Sequence, residues 1–309
     1  SDFEAKGYSE AKKAILNQSY EVKDLTLFDK DKVPEDASMI VISGPKKELF
    51  ETELKLLEVY LEGGGKLFIM LDPDEGQGLV PFIAKYGLKV GDDIIIDKVS
   101  RLFGGDFLIP VIMEYGNHAI TKDFNLLTFF PIARSVKAMA ESSDKVLPQN
   151  IAMTSAESWA ETDKERLQRG EAAFDEGQDV KGPLSLAAVT TIGLAGAKGK
   201  TGQDAHGHTQ ESSSSEGQKR GRLVVFGDSD FASNNYLKLS GNKDLFLNVI
   251  SWLAEEENLI SIRPKQAEST PLLLSAAQGR VIFWFPVIIM PGAVLLVGAL
   301  VTTRSRWRS

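Results

Sequence analysis

The first part of the chain switches repeatedly between a helical and a strand period. Tyr8–Asn17 (YSEAKKAILN) places Ala11, Ala14 and Ile15 on one helical face with lysines opposite. Tyr20–Leu27 alternates apolar and polar positions and predicts a strand. Met39–Ser43 (MIVIS) is a continuous apolar run, the pattern of a strand buried on both faces of a parallel sheet. Glu48–Glu62 carries Leu49, Leu54, Leu57 and Leu61 near helical spacing. Gly63, Gly64 and Gly65 end that helix, because glycine accepts the left-handed conformation at a helix C-terminus. Lys66–Leu71 (KLFIML) predicts a further strand and Leu79–Tyr86 a short helix. The alternation predicts an α/β fold with an open, mostly parallel sheet.

The pattern loosens between Gly87 and Ser185, where Asp93–Asp97, Ser135–Met139 and Ile151–Thr154 are strand candidates. Ser155–Asp179 is dense in charge and predicts an exposed helix. Leu184–Ile192 (LSLAAVTTI) and Arg222–Phe226 (RLVVF) predict buried strands, and Asp244–Glu255 a strongly apolar helix. Between them Gly193–Gly221 is small and polar, so a flexible low-complexity loop is expected there. No internal repeat is visible.

Near the end, Val281–Val301 (VIFWFPVIIMPGAVLLVGALV) holds no charged residue and is bracketed by Arg280 and by Arg304, Arg306 and Arg308. As a helix it would extend roughly 30 Å, the thickness of a bilayer's hydrocarbon core, so a C-terminal transmembrane helix is expected. Arginine after the span predicts a cytoplasmic tail over 302–309, a juxtamembrane linker over 271–280 and an extracytoplasmic domain over 1–270. The opening SDFEAKGYSE has neither a basic region nor an apolar core, so an N-terminal signal or first span is expected upstream.

Composition removes several function classes. A net charge of -8 argues against nucleic acid as a partner, since nucleic acid selects basic faces. With Cys 0 there are no disulfides, thiolate metal sites or cysteine nucleophiles.

The sharpest local motif is Gly227-Asp228-Ser229-Asp230 at the end of a buried strand. It superficially resembles the nucleophile elbow of α/β hydrolases, which would make Ser229 a nucleophile with His118 as the available base. Against this, Phe231 stands where the tight turn needs glycine, and His118, His206 and His208 all precede Ser229. A structural reading has Asp228 or Ser229 capping the next element and Asp230 closing a turn. A binding reading starts from strand ends, where open α/β sheets hold ligands. Asp228 and Asp230 end one strand and Asp72 and Asp74 another. If those strands are neighbours, the carboxylates converge on a candidate ligand site at Asp72, Asp228, Ser229 and Asp230, with a divalent cation or carbohydrate as the ligand considered. His206 and His208 are a weak metal pair in a polar loop, and no metal site is assigned. No phosphate loop, dinucleotide fingerprint or other cofactor signature is present, so an ATPase working with this protein would be a separate chain.

Several phrases in order carry a resemblance. They are GYSEAKKAILNQSYEVKDLTL (Gly7–Leu27), VPEDASMIVISGPKKEL (Val33–Leu49), YLEGGGKLFIMLDP (Tyr60–Pro73), HAITKDF (His118–Phe124), VVFGDSDFASN (Val224–Asn234) and NVISWLAEEENLISIRPK (Asn248–Lys265). The set resembles the GldG-like, gliding-motility-type auxiliary components of ABC transporters. The resemblance implies a flavodoxin-like or class I glutamine amidotransferase-like domain outside the bacterial cytoplasmic (inner) membrane. It also implies an ABC permease and an ATP-binding subunit as partners, besides the lipid bilayer around 281–301. Enzymes on the amidotransferase-like scaffold use a cysteine; here Gly44-Pro45 follows the strand instead. The expectation is therefore a non-catalytic, membrane-anchored auxiliary subunit whose outer domain recognises a partner or substrate. Its rivals are a membrane-anchored serine hydrolase using Ser229 and a carbohydrate- or cation-binding module.

Overall fold

The structure, a computed structural model, describes residues 3–139, 146–193 and 220–255. Its central sheet is built from β1 (Ile40–Ser43), β2 (Lys66–Met70), β3 (Glu114–Tyr115), β4 (Val146–Met153), β5 (Ser185–Ile192) and β6 (Gly221–Phe226). Their spatial order is β1-β2-β6-β5-β4-β3. The β1–β2 and β2–β6 pairings are parallel. The β6–β5, β5–β4 and β4–β3 pairings are antiparallel.

The sheet is therefore mixed, which corrects the expected mostly parallel sheet of flavodoxin-like or amidotransferase-like type. The reason lies in what an apolar run reports. In β5 every residue except Thr191 is buried, yet β5 runs antiparallel to both its neighbours. Burial on two faces needs layers above and below a strand and says nothing of its direction. The expected transmembrane helix gains no support either. Residues 281–301 lie outside the described residues, and among the described residues no helix is long and apolar enough to cross a membrane.

Among the described residues five α-helices accompany the sheet: α1 (Ser9–Leu16), α2 (Glu51–Glu62), α3 (Leu79–Ala84), α4 (Lys164–Gln168) and α5 (Asn242–Leu253). The strand period decides which helix packs where. Phe68 and Met70 of β2, with Val224 and Phe226 of β6, join Ala11 and Ala14 of α1 and Phe246, Val249 and Ile250 of α5 in one core. Leu67 and Ile69, with Leu223 and Val225, join Leu57 and Leu61 of α2 and Leu79 and Phe82 of α3 in the other. Alternate residues of each strand thus feed opposite faces, and helices cover both.

Several local expectations change. β1 is an edge strand with Val41 at 38% exposure, not a strand buried on both faces. Tyr20–Leu27 forms no strand; alternation there lacks a ladder partner, and of its apolar side chains Leu27 alone is fully buried. The charge-dense stretch from Ser155 holds only the short α4, preceded by a strand, Ser158–Glu161, that pairs with Ile94–Asp97. The Gly193–Gly221 loop falls at residues 194–219 outside the described residues.

Candidate functional site

Three parallel strands deliver their carboxyl ends to one place. Ser43 of β1 and Phe226 of β6 both stand beside Met70 of β2, so the three chains leave the sheet at one level. Gly44 follows β1, Asp72 follows β2 and Asp228–Asp230 follow β6. The two strands that carry the aspartates are neighbours.

Ser229 is the centre of the arrangement. Its backbone N–H donates to Asp72 Oδ1 at 2.6 Å and its hydroxyl to Asp72 Oδ2 at 2.7 Å. The Tyr8 hydroxyl donates to Ser229 Oγ at 2.7 Å, which gives an ordered relay from phenol to alcohol to carboxylate. Burial raises the Tyr8 pKa, and the nearby Asp72, Asp230 and Asp228 charges add to the effect, so the phenol stays a donor. Gly44 closes the floor. Its φ is +51°, and a Cβ there would stand 2.7 Å from Ser229 Oγ and 3.1 Å from Asp72 Oδ2. Only glycine accommodates both demands.

Asp228 has a different task. It is fully buried, and its carboxylate accepts from the backbone N–H of Asp230 at 2.8 Å and of Phe231 at 3.1 Å. Burial, then the charges of Asp72 and Asp230, push its carboxyl well above the usual carboxylate range, while those two N–H donors pull it down. The capping role expected of Asp228 or Ser229 therefore belongs to Asp228. The loop after β2 is held by Arg134, which is buried at 1% exposure. Its guanidinium donates to the carbonyls of Gly91, Asp72 and Glu75. Burial lowers its pKa, and nearby aspartates offset part of that effect.

Above Ser229 opens a cavity of about 300 Å³. Asp72, Ser229 and Asp230 line it together with Tyr8, Lys6 and Lys46, and Ile94, Pro131 and Ile132 add apolar lining. Asp230 makes no side-chain hydrogen bond among the described residues. Its pKa is raised, first by burial and then by Asp72, against the lowering effect of Lys6 and Lys46. Of the four sequence-derived site residues, three thus share one cavity and Asp228 supports them from below. Asp74 also lines the cavity but is paired with Lys164 at 2.5 Å. The four carboxylates are close but form no metal cage: among the described residues no group of three or more His, Asp or Glu is placed to hold a metal ion.

His118 lies elsewhere. Its ring meets Trp252 at 4.8 Å, and the Arg222 guanidinium covers the same indole at 4.6 Å. Arg222 stands near the start of β6 and Ser229 lies beyond its end, so four strand steps of ~3.3 Å, roughly 13 Å, and a turn separate them. His206 and His208 lie outside the described residues. Tyr8, Gly44, Arg134 and Ile132 escaped the sequence reading. Gly44 alone left a signal, as a glycine directly after a strand.

A family model described as an ABC-type uncharacterized transport system, ABC_transp_aux, matches residues 10–249, from α1 into α5. Among solved structures the chain is similar to the mmIFT52 N-terminal domain, at TM-score 0.54 and 16% identity, over 82% of this chain and 92% of that one. A likeness at that identity extends to the fold alone. Among curated proteins none matches.

Proposed function

The chain belongs to the ABC_transp_aux family, auxiliary components of ABC-type transport systems, and from that premise we propose a non-catalytic subunit that recognises a partner or substrate at the cavity above Ser229. The observation that carries the proposal is the family match across residues 10–249, which spans the sheet and nearly every residue of the site. A permease and an ATP-binding subunit are the proposed partners, at a bacterial cytoplasmic membrane with the α/β domain on its outer side. The geometry supports recognition over catalysis. The Ser229 hydroxyl is already engaged by Tyr8 and Asp72, and His118 packs on Trp252 beside Arg222, at the opposite end of β6 from Ser229. Nucleophilic serine chemistry needs a base within hydrogen-bond reach and an orienting partner behind it.

Detergent extraction and affinity purification of the full-length protein test this. Co-purification of a permease and an ATP-binding subunit is expected; their absence, also after chemical cross-linking, would overturn the transport assignment. An active-site serine probe provides the second arm. Labelling that disappears in Ser229→Ala would overturn the non-catalytic reading instead.

A further inference from the structure

The end of β6 opposite Ser229 carries a cluster of its own. Trp252, the penultimate residue of α5, is 4% exposed. The Arg222 guanidinium lies over its indole at 4.6 Å, and the His118 ring meets it at 4.8 Å, tilted by 70°. Arg222 Nη1 also donates to the Trp252 carbonyl. His118 belongs to the turn from Gly116 to Thr121 that follows β3, in which the His118 N–H and the Thr121 hydroxyl both donate to Gly116 O. The same turn holds α5 a second time, because Asn248 Nδ2 donates to Ile120 O at 3.0 Å. The end of α5 is thus fastened to β6 and to one turn.

His118 fits this place in one protonation state. Its Nδ1 accepts the Ile120 N–H at 3.2 Å, so the lone pair that would take a proton is already in use. In the imidazolium both ring nitrogens are donors, and Nδ1–H would face a second donor. The new charge would also arise beside the Arg222 guanidinium on the same indole. Arg222 is the charged group that acts on His118 from β6. α5 faces the turn with Trp252 and Asn248, and β4 with Gln149, whose amide donates to Asn117 O; none of these titrates. Lys66, which opens β2, and Glu255, just after α5, neutralise each other in an ion pair at 3.0 Å. Among the described residues no carboxylate is paired with His118 to favour its charged form.

We propose that His118 is an acid-sensitive latch on the last turn of α5: neutral, it closes over Trp252; protonated, it swings out and lets Val249–Leu253 open. The closed form holds the imidazole pKa at about 4, through burial first and then Arg222, whereas the freed ring returns to its ordinary 6.5. The closed form therefore keeps its full advantage above pH 6.5 and loses it as pH falls towards 4. The open form gains about tenfold in population per pH unit, roughly 300-fold across that window. A terminal helical turn opens at lower cost than the whole domain, since the first half of α5 stays packed through Leu245 and Phe246. The latch lies at the other end of β6 from the Ser229 cavity and does not rest on the recognition reading.

Hydrogen exchange of the full-length chain at pH 7 and pH 4 tests the latch, with each amide rate referred to its intrinsic rate at that pH. Protection of Val249–Leu253 is expected to fall about 100-fold between the two, and at pH 4 to stand well below that of β2 and β6, as a local opening requires. His118→Gln keeps an acceptor for the Ile120 N–H and does not titrate, so the fall at Val249–Leu253 is expected to vanish in it. Unchanged protection in the parent, the same fall in His118→Gln, or protection at pH 4 equal to that of β2 and β6 would each overturn the proposal. Should His118→Gln not fold, titration of the His118 imidazole by NMR in the parent takes its place. A midpoint near 4 is expected, and one near 6.5 would overturn the latch.

Discussion

The Asp72 carboxylate accepts both the backbone N–H and the hydroxyl of Ser229, at 2.6 and 2.7 Å, across 157 positions of sequence. This two-point bond joins the ends of adjacent parallel strands and fixes the direction in which Asp230 leaves β6. Asp72→Ala leaves two donors without their acceptor and is expected to cost about 2 kcal/mol, since hydrogen bonds to charged groups contribute about 1.5–3. Ser229→Ala removes one of the two and should cost less. Urea unfolding of both variants and their combination would measure the coupling, and additive losses would contradict a direct bond.

Gly44 offers a sharper steric test. Alanine there meets a left-handed backbone at φ +51° and a Cβ contact of 2.7 Å with Ser229 Oγ. The conformational part alone costs about 1–2 kcal/mol. Gly44→Ala should therefore lose at least ~1 kcal/mol in denaturant unfolding and also disturb the Ser229–Asp72 bond. A variant as stable as the parent would show that β1 does not hold Gly44 in that conformation.

Ile132 behaves in the opposite sense. Ile132→Gly removes a β-branched side chain from φ +54°, where glycine is at ease. Little burial is lost, because the side chain is half exposed. Stability is expected to hold or rise by on the order of 1 kcal/mol. Thermal melting and urea unfolding of the variant would measure this. A clear loss of stability would mean that the Ile132 side chain belongs to the core.

The pH dependence of stability follows from His118. Burial, then the Arg222 charge, lowers its pKa from 6.5 to about 4. The folded state holds the imidazole neutral, whereas the unfolded state protonates it below its ordinary pKa. The contribution is therefore complete above pH 6.5 and is lost as pH falls towards 4, by up to roughly 3 kcal/mol. Unfolding free energies of the parent and His118→Gln, compared between pH 4 and pH 7, should converge at the acid end. Parallel curves would show that His118 titrates alike in both states.

Much of the fold was legible because burial leaves a period. Lys66–Met70 and Arg222–Phe226 announced themselves as apolar runs, and the heptad-like leucines of Glu51–Glu62 marked a helix with one buried face. Tyr20–Leu27 misled because alternation records a preference for a pleated surface, and a ladder needs a partner strand to form. The two aspartate-bearing strand ends were recognisable as a candidate site from the general placement of ligands in α/β folds. Their adjacency was not, since it depends on a crossover between β2 and β6 that no local pattern encodes.

By itself, the amino-acid sequence determined which residues seek the interior, where helices stop, and that Asp72, Asp228, Ser229 and Asp230 end strands. Local forces set these properties: apolar transfer, backbone conformational preference and short-range capping. Tertiary structure alone decided that β5 runs against β6, that Asp228 turns inward while Asp230 faces the cavity, and that Tyr8, Gly44 and Ile132 complete the site. Strand direction and the meeting of residues far apart in the chain are settled by which long-range contacts best compensate the entropy of closing the chain. That balance belongs to the whole fold, and no stretch of sequence carries it.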